Sequence, residues 1–124
     1  MEQLTMNGYQ EAAMKTCMPS CMNYNYMFGN LVSEVGEFGG KISKMQRSGW
    51  MKFTEDGDIV PQMSFAEWVW NSTELMKEAG DILWQLSGLC KVMGWELEDV
   101  AQQNLRKLAS RKQREVIDGE GDNR

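Results

Sequence analysis

Two pairs of acidic residues with helical spacing constrain this chain more than any other feature. Glu34 and Glu37 form one pair within LVSEVGEFGGKISK, and Glu78 and Asp81 form the other within ELMKEAGDILWQL. Residues three apart on an α-helix lie on one face about one turn apart, so each pair directs two carboxylates towards the same region. The sequence therefore predicts two acidic helix faces.

Apolar neighbours place both pairs beside the faces that would pack into a core. The neighbours of the first pair are Leu31, Val32, Val35 and Phe38, and those of the second are Leu75, Ile82, Leu83 and Leu86. Carboxylates gathered there repel one another unless a cation compensates them, and Mg²⁺ or Mn²⁺ accepts oxygen ligands. A metal site built from the four acids is one interpretation, and two ordinary solvated helix faces are the other.

Length and composition favour one thin helical domain. The chain has 124 residues, which is within the usual size of a single domain. Its 11 Met and five Trp are many for this length, so we expect apolar surface left over for a partner subunit. We predict a domain over residues 1–117 and a flexible C-terminal tail over residues 118–124.

Charge and hydropathy exclude several kinds of partner. The net charge of −5 argues against a nucleic-acid polymer, because phosphate backbones bind clustered basic surfaces. No apolar run is long enough to span a bilayer, and MEQLTMNGYQ lacks the features of a signal peptide. We expect no membrane partner and a cytoplasmic location, while a bound cation could still hold a small phosphorylated ligand.

The absence of histidine limits the chemistry that this chain can perform. Ser-His-Asp and Cys-His catalysis cannot be built, so proton transfer must use a carboxylate, lysine, tyrosine or metal-bound water. The three cysteines, Cys17, Cys21 and Cys90, have no histidine or second close pair with which to complete a zinc site. We interpret them as reduced, small apolar residues.

Helical periodicity predicts four helices, at roughly residues 4–16, 22–48, 64–92 and 97–114. Ser64 and Glu67 have the spacing of a capping box at the start of the third helix, while Gly49 and Gly94 follow the second and third. Asp56-Gly57 predicts a short hairpin or ordered loop between these two helices. The fold class is therefore all-α, an antiparallel four-helix bundle-like protomer in which the acid pairs face each other.

The order of three motifs resembles that of a known family. Glu-x-x-Glu is followed by Glu-x-x-Asp within Gly-Asp-Ile-Leu-Trp-Gln-Leu, and then by Asn104-x-x-Lys107-Leu108-x-x-Arg111. This arrangement resembles the MazG-like all-α nucleoside triphosphate pyrophosphohydrolases. The resemblance begins at Tyr9-Gln10 and extends to the tail at residues 119–124. The forty residues between Glu37 and Glu78 exceed the usual gap in that family.

The resemblance implies hydrolysis of a nucleotide between its α- and β-phosphates, giving a nucleoside monophosphate and pyrophosphate. It implies Mg²⁺, with Mn²⁺ as a possible substitute, held by all four acids, one of which would also orient the attacking water. It also implies a homodimer or homotetramer. The base, the sugar and any action on alarmones depend on pocket shape and stay open.

Further substrate contacts follow from the same resemblance. Asn104, Lys107 and Arg111 lie on one stripe of the last helix, which would face the nucleotide or, alternatively, only solvent. Trp50 and Trp84 are candidates for base stacking or, alternatively, core residues. The remaining candidates for phosphate or nucleotide contact are Lys41, Lys44, Asp122 and Arg124.

Two interpretations from other classes of protein stay open. In one, the acids only solubilise a dimerising helical interaction protein whose Met and Trp side chains bind another protein. In the other, the bundle binds a cation for regulation and performs no turnover. Neither predicts metal-dependent release of pyrophosphate, so that assay separates both from the enzyme.

Overall fold

The computed structural model describes residues 2–114, which form four α-helices, one 3-10 turn and a two-stranded hairpin. The elements are α1 (Met6–Met14), the 3-10 turn (Pro19–Cys21), α2 (Tyr24–Arg47), β1 (Met51–Phe53), β2 (Ile59–Pro61), α3 (Phe65–Val92) and α4 (Leu97–Gln113). The predicted all-α class is confirmed. No helix among these residues combines the length and apolar character needed to cross a bilayer.

Local signals set the bounds of the two long helices. The Asn23 side chain caps α2, and Ser64 Oγ caps α3 by accepting the backbone N–H of Glu67 at 3.2 Å. The same Ser64 hydroxyl donates to Glu67 Oε1 at 3.0 Å, so the second bond of the predicted pair joins the two side chains at the start of α3. Gly49 and Gly94 adopt φ of 75° and 78° just after α2 and α3, a left-handed conformation that suits glycine.

Helix α1 is shorter than the predicted residues 4–16. Thr5 has an extended backbone, and its Oγ1 accepts the N–H of Gly8 at 2.9 Å, which makes Thr5 the N-cap. At the other end, Thr16 Oγ1 donates to the Ala13 carbonyl at 2.6 Å. Side-chain hydrogen bonds of threonine to nearby backbone compete with helix continuation at both ends.

The hairpin confirms the turn predicted at Asp56-Gly57. Strands β1 and β2 are antiparallel, with Phe53 opposite Ile59, and Gly57 has φ of 85° in the turn. Met51 on β1 is buried against Met45 and Leu75, so the hairpin covers one end of the α2 and α3 pair.

Helices α2 and α3 run antiparallel, and this orientation positions the acids. Met27, near the start of α2, packs against Gly88, near the end of α3, whereas Met45 and Leu75 meet at the opposite end. A first core cluster, comprising Ala13, Met14 and Met27, joins α1 to this pair. The two acid pairs lie between the two clusters, at the middle of both helices.

Helix α4 packs mainly against α1, through a buried polar side chain. Gln10 is 6% exposed, and its Oε1 accepts the N–H of Leu97 at 3.0 Å. Its Nε2 donates to the carbonyls of Ser87 at 3.2 Å and Trp95 at 3.1 Å. One amide therefore joins α1, α3 and the start of α4.

Candidate functional site

The antiparallel pair brings three of the four predicted acids together at its middle. Glu34, Glu78 and Asp81 each place one carboxylate oxygen within 4.8 Å of the others. Glu34 and Glu78 are half-buried, while Asp81 is exposed. Glu37 lies outside this group of three, on the exposed side of α2, but close enough for its charge to act on Glu34.

Among the clustered acids, Glu34 has a carboxyl pKa that its surroundings raise. Burial raises the pKa of its carboxyl, and the neighbouring charges of Glu37, Asp81 and Glu78 raise it further. Its Oε2 is buried and has no hydrogen-bond partner among the described residues. A buried carboxylate oxygen without a donor is costly, and a divalent cation among the acids would supply the missing partner. The residues present therefore fit a hard divalent cation.

Lys41 provides a counter-charge for the acids that no sequence motif predicts. Its Nζ donates to Glu78 Oε1 at 2.5 Å, and this bond raises the pKa of Lys41. From the sequence, this lysine is predicted only as a contact for phosphate. The available signal was its position one turn beyond Glu37 on α2, where it meets the facing acid pair of α3.

Helix α1 also reaches the cluster through Tyr9. Burial raises the pKa of the Tyr9 phenol, and the charge of Asp81 raises it further. Tyr9 packs against the core cluster formed by Ala13, Met14 and Met27. Its place beside Asp81 follows from the packing of α1 on α3, which no local motif reveals.

The two tryptophans predicted for base stacking have different surroundings. Trp84 packs against the first core cluster. Its Nε1 donates to Thr16 Oγ1 at 2.9 Å and to the Ala13 carbonyl at 3.2 Å. Its indole N–H is therefore used in attaching α1 to α3. Trp50 stays 46% exposed at the entrance of the hairpin.

The residues of the α4 stripe differ in exposure and surroundings. Asn104 and Lys107 line a surface cavity of about 930 Å³ whose lining includes none of the four acids. Arg111 is buried, at 4% exposure, rather than on the solvent face. Lys44 is exposed in the last turn of α2. Lys41 is a phosphate candidate that is bonded to the acid cluster, through Glu78.

The remaining candidates, Asp122 and Arg124, lie outside the described residues. So does the proposed boundary between a domain ending at residue 117 and a tail over residues 118–124.

The fold and site define an all-α protein with a carboxylate cluster that fits a divalent cation. Its family follows from comparison with known proteins: the MazG nucleotide pyrophosphohydrolase domain matches residues 23–116, and the chain belongs to this family. The match includes all four acids and the α4 stripe. The chain is also similar to the Gene 37 protein of Mycobacterium phage L5, at 35% identity over 123 residues, covering 94% of this chain and 96% of that protein. No solved structure shows a significant match.

Proposed function

We propose that this protein is a Mg²⁺-dependent hydrolase that cleaves nucleoside or deoxynucleoside triphosphates between the α- and β-phosphates. The products are a nucleoside monophosphate and pyrophosphate. The observation that carries the proposal is the convergence of Glu34, Glu78 and Asp81 within 4.8 Å, in a chain of this family. The buried Glu34 oxygen without a donor supports a cation at this place.

The proposed roles follow from the chemistry of the side chains. Glu34, Glu37, Glu78 and Asp81 would hold Mg²⁺, with Mn²⁺ as a substitute, through carboxylate oxygens. When bound, the ion supplies charge neutralisation to the triphosphate and to the leaving pyrophosphate. One of the four carboxylates orients a water towards the α-phosphorus. The oxygen of that water bonds to the α-phosphorus as the bond from this phosphorus to the oxygen bridging the α- and β-phosphates breaks.

We propose that the active form is a homodimer or homotetramer. Tyr24, Phe28, Val32 and Val35 form an apolar face on α2 and are each about half exposed, between 47% and 58%. The rings of Tyr24 and Phe28 stack at 5.7 Å, which extends this face. A second copy covering it would complete a core that is thin in one chain. Residues Asn104 and Lys107 of a second copy are candidates to complete the nucleotide site.

The proposed location is the cytoplasm. The three cysteines are free thiols, which suits a reducing compartment. The proposed substrate is a small nucleotide rather than a nucleic-acid polymer, since the net charge is −5.

Release of pyrophosphate from a panel of nucleotides tests the function. We expect turnover with Mg²⁺ or Mn²⁺ and none in excess chelator. Glu37→Ala and Asp81→Ala should each reduce turnover by about a hundredfold or more, because each removes an oxygen ligand. Circular dichroism should show unchanged helical content in both variants.

Glu55→Ala, in the exposed hairpin turn, is the matched control and should keep full activity. Near-normal turnover in both Glu37→Ala and Asp81→Ala would contradict the proposed site. Metal binding without turnover of any nucleotide would favour the regulatory interpretation instead.

A further inference from the structure

Lys41 forms an ion pair with Glu78, one of the three clustered carboxylates. Its Nζ lies 2.5 Å from Glu78 Oε1. The Lys41 side chain is 48% exposed, whereas that of Glu78 is only 16% exposed. The ammonium therefore reaches from the rim of the site onto an acid that is largely withdrawn from solvent.

The position of Glu78 gives this ion pair its importance. Glu78 also contributes an oxygen to the group in which Glu34, Glu78 and Asp81 lie within 4.8 Å of one another. This group would hold a divalent cation. That cation and the ammonium of Lys41 would then both bind the carboxylate of Glu78. Two cations so close together repel each other, so binding of one weakens binding of the other.

The lysine side chain is suited to leaving this place. Its flexible four-carbon stem starts on the exposed part of α2, and its head can return to water without opening the core. On Glu34, by contrast, the buried Oε2 accepts no hydrogen bond from the described residues. The chain thus neutralises part of the cluster and leaves another part for an added cation.

We propose that Lys41 is a resident counter-ion that competes with the divalent cation for Glu78. Without metal, the ammonium limits repulsion among the acids. With metal, the ammonium leaves Glu78 and moves to the rim of the site. The inference rests on the metal site of the proposed function, but it does not depend on turnover.

Titration calorimetry of Mg²⁺ and Mn²⁺ into the nucleotide-free full chain tests this competition. Lys41→Met keeps most of the stem and removes the charge, so its affinity for both ions should be about three- to tenfold higher than that of the wild type. Lys41→Arg keeps the charge and should stay within about twofold of the wild type.

A matched control is available on α3. Lys77 pairs with Glu74 at 3.0 Å, outside the group of three carboxylates. Lys77→Met also removes one positive charge and one ion pair, yet it should leave the metal affinity nearly unchanged. If Lys77→Met raised the affinity as much as Lys41→Met, general charge rather than competition at Glu78 would be responsible, and the proposal would be overturned.

Thermal unfolding provides a second readout. In chelator, Lys41→Met should melt below the wild type, because the cluster has lost its counter-charge, and Mg²⁺ should raise its Tm by more than it raises that of the wild type. Unchanged or weaker metal binding by Lys41→Met would overturn the inference, even if the wild type releases pyrophosphate. Tighter binding without any turnover would instead overturn only the proposed function.

Discussion

Asn7 and Glu98 cap each other's helices. Asn7 Oδ1 accepts the backbone N–H of Glu98 at 2.9 Å, and Glu98 Oε2 accepts the backbone N–H of Asn7 at 2.9 Å. Both residues lie in the first turn of their helices, where N–H groups lack partners within the helix. Glu96, the N-cap of α4, makes no capping bond with its own side chain, so α1 supplies the cap.

Asn7→Ala should lower the free energy of unfolding by about 0.5–2 kcal/mol, the usual worth of an N-cap. Asn23→Ala is the matched control, since it removes a local 2.9 Å cap from α2 and should have a similar cost. Chemical denaturation gives both values. Hydrogen exchange should quicken at the start of α4 in Asn7→Ala alone, because alanine lacks the Oδ1 that accepts the Glu98 N–H but keeps the backbone N–H that Glu98 accepts. Unchanged exchange in α4 would contradict the shared cap.

Gly88→Ala should destabilise the protein by about 1–3 kcal/mol through overpacking. An added Cβ would lie against Sδ and Cε of Met27, which is 0% exposed and therefore enclosed on all sides. Gly29→Ala has open space at its Cβ within α2 and should instead stabilise by up to about 1 kcal/mol. The cost of Gly88→Ala should shrink in a Met27→Ala background, and additive costs would contradict direct contact.

The metal-free protein should lose stability as the pH rises through the titration of Glu34. Burial, followed by the neighbouring acids, raises the pKa of Glu34 above its usual value of 4.5, so the folded state favours the protonated form. The stabilising contribution is complete below the unfolded pKa and is lost as the pH rises through the higher folded pKa. Unfolding experiments between acidic and neutral pH measure it.

Glu34→Gln is the comparison for this titration. It keeps the shape of the protonated acid but cannot ionise, so its stability should fall less over the same pH range. Saturating Mg²⁺ should reduce the difference between the two proteins. An identical pH dependence in both proteins would show that another group is responsible.

Lys107→Ala should weaken binding of a non-hydrolysable nucleotide by about 1–3 kcal/mol, the strength of a charge-assisted hydrogen bond. It should leave Mg²⁺ affinity of the free protein nearly unchanged, because Lys107 has no carboxylate and lines a cavity that includes none of the four acids. Calorimetric titration of each ligand decides this. Equal loss of both affinities would indicate a structural role, and no loss of either would indicate a solvated residue.

Sedimentation should show a dimer or larger species at micromolar concentration, with about 2,000 Å² or more buried between subunits. Phe28→Asp places a charge on the exposed apolar face of α2 and should shift the protein towards monomer. Glu2→Asp, outside all helices, should not. A compact wild-type monomer that turns over nucleotide would contradict the proposed assembly.

Local sequence determined the start of α3 and the ends of α2 and α3. Ser64 and Glu67 are three residues apart, and Gly49 and Gly94 act through their own φ angles, so neighbouring residues contain all the information needed. The helical spacing of each acid pair likewise determined that its two carboxylates share a face. The prediction that α1 covers residues 4–16 was wrong at both ends. The helix is limited to Met6–Met14 because Thr5 and Thr16 form local hydrogen bonds outside it.

Tertiary packing alone decided which faces and side chains meet. The Lys41 bond to Glu78 spans 37 residues, the Trp84 bond to Thr16 spans 68, and the bonds between Asn7 and Glu98 span 91. Helical spacing identifies the members of a face but not the face that lies opposite, because that depends on how Met27, Gly88 and the other core residues fit together. The acids could therefore be predicted from the sequence. Their lysine counter-ion and the cap shared by α1 and α4 depend on how the helices pack and could not.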